Sequence, residues 1–225
     1  MTSARLESKF DGKQQARRYS SITGVILAGG ASSRMGRNKA LLTVDGTPLI
    51  QRIHHIMTGL FQNVLLVTNS PDEYDFLLCR KVRDIYPGVG SIAGLHAGLT
   101  ASPTERIFVV ACDAPFLNPA LIRKLCDIEG IWDAVIPIGA TGKEPLHALY
   151  SRDCLPFLEQ MLEMDQRKIL ILYDQVRTRF VMSEEFASIP EAELSFFNLN
   201  TPAEYLAIRP PKLFWAEPGL GGGSF

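Results

Sequence analysis
The chain has 225 residues and a formal charge of −1, a size that suits one domain with appendages and a balance that excludes a broadly basic nucleic-acid binder. Hydrophobic residues make up 46% and charged residues 21%, an ordinary globular composition, and no stretch approaches the ~20 apolar residues needed to span a bilayer. The four cysteines form no C-x-x-C pair, and the polar N-terminus has no apolar h-region, so a reduced cytoplasmic protein with no signal peptide, membrane or nucleic-acid role is expected.

In chain order, residues 1–20 read as a polar tail and residues 21–208 as the folded domain. Residues 209–225, with three prolines and a Gly-rich end, read as a second tail. Strands are expected over residues 24–27, 64–68, 81–84, 107–111 and 134–138. Their near-continuous apolar content is that of strands covered on both faces. Helices are expected between them. Residues 48–58 carry Leu49, Ile53 and Ile56 at helical spacing behind Pro48. Ser91 stands to cap a small apolar helix, Asn118-Pro119 is an N-cap followed by a proline at the first helical position, and Thr201-Pro202-Ala203-Glu204 is a capping box. Alternating strands and helices imply βαβ units and an α/β fold with a mainly parallel sheet. Residues 146–200 are less regular and are expected to hold an antiparallel excursion or a small subdomain.

The loop after the first strand is the most informative stretch. Val25-Ile26-Leu27 runs into Gly29-Gly30, then Ser32, Ser33, Arg34, Arg37 and Lys39, with no acidic residue between Gly24 and Val44. Ligands of open α/β sheets bind at the carboxyl ends of strands. Glycines let backbone N–H groups approach a phosphate, and hydroxyls and cations complete the cradle. The spacing matches neither the dinucleotide fingerprint nor the P-loop. Gly29-Gly30 alone would be an ordinary solvated turn; with two serines and three cations an anion site is the better reading.

These residues, Leu27-Ala28-Gly29-Gly30-x-Ser32-x-Arg34-Met35-Gly36-x-x-Lys39, resemble the signature loop of the Rossmann-like nucleotidyltransferases. More narrowly they resemble the MobA-like, molybdenum cofactor guanylyltransferase branch. The resemblance continues through Asp84-x-x-Pro87-Gly88-x-Gly90-x-x-Ala93-Gly94, Cys112-Asp113-x-Pro115-Phe116, Glu144-Pro145-Leu146 and Asn198-x-Asn200-Thr201-Pro202. It departs at Asn38, where the family usually has an acid before the signature lysine.

The resemblance implies a three-layer nucleotidyltransferase fold and transfer of GMP from GTP to molybdopterin, with Mg²⁺ as cofactor and cofactor-handling proteins as partners. Arg34, Lys39 and Asp113 would be catalytic, and Asp113 would hold the metal. Leu27, Ala28, Gly29, Gly30, Ser32, Ser33, Lys39, Asn69, Asp84, Gly88, Gly94 and Asp113 would contact the nucleotide. Lys143, Glu144, Pro145, Asn198 and Asn200 would contact the acceptor.

Several of these residues keep a plainer alternative: Asp113 as a turn cap, Asp84 as a turn residue, Asn69 as a turn opener, and Lys143 and Glu144 as solvated loop charges. His54 and His55 are expected on the surface, and His147 in the core or a pocket wall. A cytidylyl- or sugar-phosphate nucleotidyltransferase and a non-catalytic GTP-binding cofactor chaperone are the competing functions.

Overall fold
The computed structural model describes residues 18–29, 38–44, 46–201 and 204–205. Residues 1–17 and 206–225, and the loop residues Gly30, Ser32, Ser33, Arg34 and Arg37, lie outside the described residues. The first strand β1 (Tyr19–Leu27) begins inside the expected N-terminal tail, because Tyr19 and Ile22 already pack against the core. A small hairpin, β2 (Thr43–Val44) and β3 (Thr47–Pro48), leads into α1 (Leu49–Leu60). The chain continues through β4 (Phe61–Val67), β5 (Arg80–Val82), α2 (Ser91–Ala101), β6 (Arg106–Ala111) and α3 (Pro119–Cys126). Then follow β7 (Ala134–Gly139), β8 (Gly142–Lys143), β9 (His147–Ser151), α4 (Leu155–Glu163), β10 (Thr178–Val181) and the short α5 (Ser183–Phe186).

The main sheet has the order β10-β7-β9-β6-β1-β4-β5. β1 pairs in parallel with β4 and β6, β4 with β5, and β7 with β10. From β1 the chain builds outward to β4 and β5, then crosses back to β6 on the other side. β1 and β6 therefore flank the point where strand order reverses, where the loops leaving the strand ends diverge and open a crevice.

β1 and β6 are buried on both faces, as their unbroken apolar runs require. Ile22, Ile26, Phe108 and Val110 face one apolar cluster with α1 and α3, while Val25, Leu27, Ile107 and Val109 face a second with α2 and α4. The result is three layers, helix–sheet–helix. α2 lies close on β1 because Gly98 lacks a Cβ, which would stand 2.9 Å from Val25 Cγ1. Asn118 caps α3 as expected, its side-chain oxygen accepting from the N–H groups of Ala120 and Leu121 at 2.9 and 3.3 Å.

Of the two alternatives expected for residues 146–200, the antiparallel excursion is the one present, built into the main sheet. β9 runs antiparallel between β6 and β7 in the middle of the sheet, with His147 opposite Val110 and Tyr150 opposite both Ile107 and Ala134. The chain then returns through α4 to place β10 beside β7. The start of that edge is held by Asp133, which accepts from the Arg177 N–H, Nε and Nη2 at 2.9, 2.9 and 2.6 Å. Those side-chain bonds hold the Asp133 carboxyl below its ordinary value. Its contribution is present above the usual carboxylate range and is lost as pH falls through the lowered value. Asp133→Asn is expected to lower the melting temperature at pH 7, with the gap to wild type shrinking near about pH 3, as followed by circular dichroism. Among the described residues, no helix is long and apolar enough to cross a membrane.

Candidate active site
At the base of the crevice between β1 and β6, main-chain bonds tie the end of β1 to both of its neighbours, β6 and β4. The Cys112 N–H donates to Leu27 O at 3.0 Å and the Ala28 N–H to Val67 O at 2.9 Å. These bonds hold Leu27 and Ala28, both expected at the nucleotide, in place at the end of the strand. The Leu27 side chain is packed in the core and its carbonyl is taken, and the Ala28 N–H already has a partner inside the fold. Gly29, the next residue, is exposed.

Three of the expected polar residues converge at the mouth of the crevice. Lys39 opens a single 3-10 turn, Lys39–Leu41, anchored by the fully buried Ala40. Its Nζ lies 3.7 Å from Asp113 Oδ2 and donates to Asn200 Oδ1 at 3.3 Å. Asp113 follows the end of β6, and its carbonyl accepts from the Leu199 N–H at 2.9 Å, docking the Asn198–Asn200 segment beside the strand end.

Glu204 organises that segment from the far side. Its carboxylate accepts from the Thr201 N–H at 2.9 Å and the Asn200 N–H at 2.6 Å, while its own N–H donates to Thr201 Oγ1 at 3.2 Å. This is the capping box read in the sequence, and these backbone bonds hold the Glu204 carboxyl below its usual range. Asn198 contributes its carbonyl to the Asn200 side-chain amide at 3.3 Å. Burial pushes the Asp113 carboxyl up, and the Lys39 ammonium opposes that shift. A half-buried acid, an ammonium and an amide oxygen thus share one small polar site.

A second group lies along the same carboxyl edge of the sheet, beyond β4 and β5. Asn69 Oδ1 accepts from the Asp84 N–H at 3.0 Å, and Asp84 Oδ1 accepts from the Tyr86 N–H at 2.8 Å. Asp84 therefore makes the turn contact read as its plainer alternative, and burial raises its carboxyl against the pull of that N–H and of His96. Gly88 and Gly90 adopt φ of +83° and +95°, which glycine alone takes freely. One expectation is corrected here: Ser91 is the first residue of α2 and the capping position belongs to Gly90, whose φ no serine favours. Gly94 lies buried within α2, where an added Cβ would stand 3.3 Å from Leu27 Cδ1.

The third group sits at the end of β7. Glu144, half-buried, accepts from Thr141 Oγ1 at 3.2 Å, and burial raises its carboxyl. Lys143 Nζ lies 4.6 Å from the Phe180 ring centre and 5.5 Å from that of Tyr173, a cation–π arrangement. Pro145 O accepts from Tyr150 Oη at 2.8 Å. Among the described residues, no hydrogen bond or ion pair joins these three to Lys39 or Asp113.

His54 is half-buried rather than on the surface, and burial lowers its pKa. His147 is a core residue, edge-on to Phe108 and Phe196 at 5.4 and 5.2 Å. Burial pushes its imidazole down to about 3 from the ordinary 6.5, so it stays neutral in the fold. Acid favours the unfolded chain, which binds the proton that the folded one refuses, so stability is full above 6.5 and is lost towards 3. Between pH 7 and pH 5 this loss is about 2 kcal/mol, and denaturant titrations of wild type against His147→Gln should differ by that pH-dependent amount.

The chain was compared with known proteins. Residues 24–177 match the MobA-like NTP transferase domain. A protein of Pelotomaculum thermopropionicum named probable molybdenum cofactor guanylyltransferase is 35% identical over 83% of this chain and 91% of its own. A molybdenum cofactor guanylyltransferase of Desulfosudis oleivorans is 36% identical over 81% of this chain and 92% of its own. The crystal structure of molybdopterin-guanine dinucleotide biosynthesis protein A from Archaeoglobus fulgidus superposes with a TM-score of 0.71 at 27% identity, covering 82% of this chain and 95% of that one. The switch-point crevice, the mainly parallel sheet with its antiparallel insertion, and the match over residues 24–177 agree: the chain belongs to the MobA-like NTP transferase family.

Proposed function
We propose that the chain transfers GMP from GTP to the phosphate of molybdopterin, releasing pyrophosphate. The observation that carries this reading is the convergence of Lys39, Asp113 and Asn200 at the β1/β6 crevice, in a chain similar over most of its length to proteins named molybdenum cofactor guanylyltransferase.

The acceptor phosphate is ionised at pH 7, so no general base is required. The work left to the protein is positioning and electrostatic stabilisation. Lys39, a compact point charge on a pinned turn, would offset the charge that builds on the α-phosphate and the departing pyrophosphate. Arg34, Gly30, Ser32 and Ser33, outside the described residues, would share that load with Gly29. The Asp113 carboxylate and the Asn200 amide oxygen are hard oxygen donors that both approach Lys39 Nζ, and Mg²⁺ takes such donors alongside phosphate oxygens and water. When bound there, Mg²⁺ would neutralise phosphate oxygens and align the in-line displacement.

Asp84, with one oxygen engaged by Tyr86, keeps lone pairs for the ring N–H and exocyclic amine of guanine, with Asn69 and Gly88 beside it. Lys143, Glu144, Pro145, Asn198 and Asn200 would receive the acceptor.

The test is a matrix of nucleoside triphosphates and acceptors with pyrophosphate release as readout. Release is expected with GTP and molybdopterin together and with neither alone. Preference for CTP or a sugar phosphate would move the chain to those transferases. GTP binding without release for any acceptor would make it a carrier.

A further inference from the structure
Asn38 stands directly before Lys39, and its side chain makes three polar contacts that join two separate parts of the molecule. Its Oδ1 accepts from the Ala40 N–H at 3.1 Å and so caps the turn that carries Lys39. Its Nδ2 donates to Glu73 Oε2 at 2.8 Å and to Tyr74 Oη at 2.7 Å, both on the Pro71–Tyr74 turn after β4. Tyr74 is itself core, 2% exposed, so this anchor is fixed to the body of the protein.

The Lys39 turn is three residues long, and beyond Asn38 and the buried Ala40 it is tied by the Leu41 and Leu42 N–H bonds to the carbonyls of Asn38 and Lys39, at 3.1 Å each, and by the Leu49 N–H bond to Leu42 O at 2.8 Å. A lysine that must meet a transition-state charge loses its effect when displaced by about 1 Å, so the ties at its base set its worth.

We propose that Asn38 is a positioning residue for nucleotidyl transfer. Its amide latches the start of the Lys39 turn to Glu73 and Tyr74 and thereby aims the lysine at Asp113 and Asn200. The inference rests on the function proposed above for its kinetic readout only. An amide is required because one side chain must accept from Ala40 and donate to a carboxylate. A carboxylate at residue 38 could keep the cap and accept from the Tyr74 hydroxyl, but it would face the Glu73 carboxylate at hydrogen-bond distance.

Asn38→Asp therefore preserves the cap and breaks the latch. Its kcat is expected to fall about tenfold to a hundredfold, with the KM for GTP changing much less. Glu73→Gln restores a donor opposite the new carboxylate, so Asn38→Asp/Glu73→Gln should return close to the kcat of Glu73→Gln alone, a coupling of about tenfold. A purely structural role for Asn38 would not be rescued by reversing the polarity of one hydrogen bond. Asn38→Ser, which keeps a capping oxygen but cannot reach Glu73, serves if the aspartate variant does not fold. It should lose kcat by a similar factor with a melting temperature near wild type.

Amide hydrogen exchange at Ala40, Leu41 and Leu42 in the substrate-free protein should speed up in both single variants and slow again in the double variant. The proposal is overturned by wild-type kcat in Asn38→Asp or Asn38→Ser, by failure of Glu73→Gln to rescue, or by unchanged exchange over the turn. If the wild type transfers no nucleotide, the function fails, and the exchange experiment still decides the latch.

Discussion

Lys39→Ala is expected to lower guanylyl transfer by about 10²–10³-fold, the loss seen when one preorganised charge-stabilising group is removed from an active site. The fold should survive, because Ala40 and not Lys39 anchors the turn in the core, and the Lys39 side chain contributes only polar contacts to Asp113 and Asn200. The expected effect falls mainly on kcat, since the charge it answers develops in the transition state. Lys39→Arg should recover only part of it: a planar fork on a longer stem does not place the same point charge. Steady-state pyrophosphate release alongside a thermal melt measures both claims. A cooperative fold with activity within about tenfold of wild type would remove Lys39 from the mechanism.

Asp113→Asn is the second large effect. The amide keeps the size of the side chain, and the bond that docks the closing segment runs from the Leu199 N–H to the Asp113 main-chain oxygen, which the substitution does not touch. Turnover is nonetheless expected to fall by about 10²–10³-fold, and the Mg²⁺ concentration needed for half-maximal rate should rise. Stability should not fall with it. Burial already disfavours the Asp113 carboxylate, so a neutral amide relieves a cost that Lys39 only partly offsets. A melting temperature equal to or above wild type, joined to lost activity, is the signature of a charge kept for chemistry. A Mg²⁺ requirement unchanged from wild type would exclude Asp113 as the metal ligand.

Much of this architecture was legible in the residues because local rules and the global fold agree. The doubly covered strands announced themselves as apolar runs, and β1, β6 and β7 contain the stretches expected of them, while β4 contains all of its stretch but Thr68. Asn118 and the Thr201–Glu204 box act locally, through bonds to residues two to four positions away, and both form as read. The misses share the opposite property. A small subdomain stayed open for residues 146–200 because a short strand such as His147–Ser151 looks the same whichever way it points, and only its pairing with β6 and β7 places it in the middle of the main sheet. Ser91 was read as the cap of its helix, whereas Gly90, at a φ of +95°, holds that position.

Asn38 shows where the division lies. The sequence by itself determined that the first strand empties into a glycine- and cation-rich loop, that an acid follows the fourth expected strand, and that an asparagine stands where an acid was expected. Those are properties of residue type and spacing, carried by the periodicity of burial and by the chemistry of each side chain. Only the tertiary structure decided that Lys39, Asp113 and Asn200 meet, although up to 161 positions separate them along the chain, and that Asn38 faces Glu73 and Tyr74. Such meetings follow from strand order and layer packing, whose free energy is spread over both apolar cores, so no single stretch of sequence contains them.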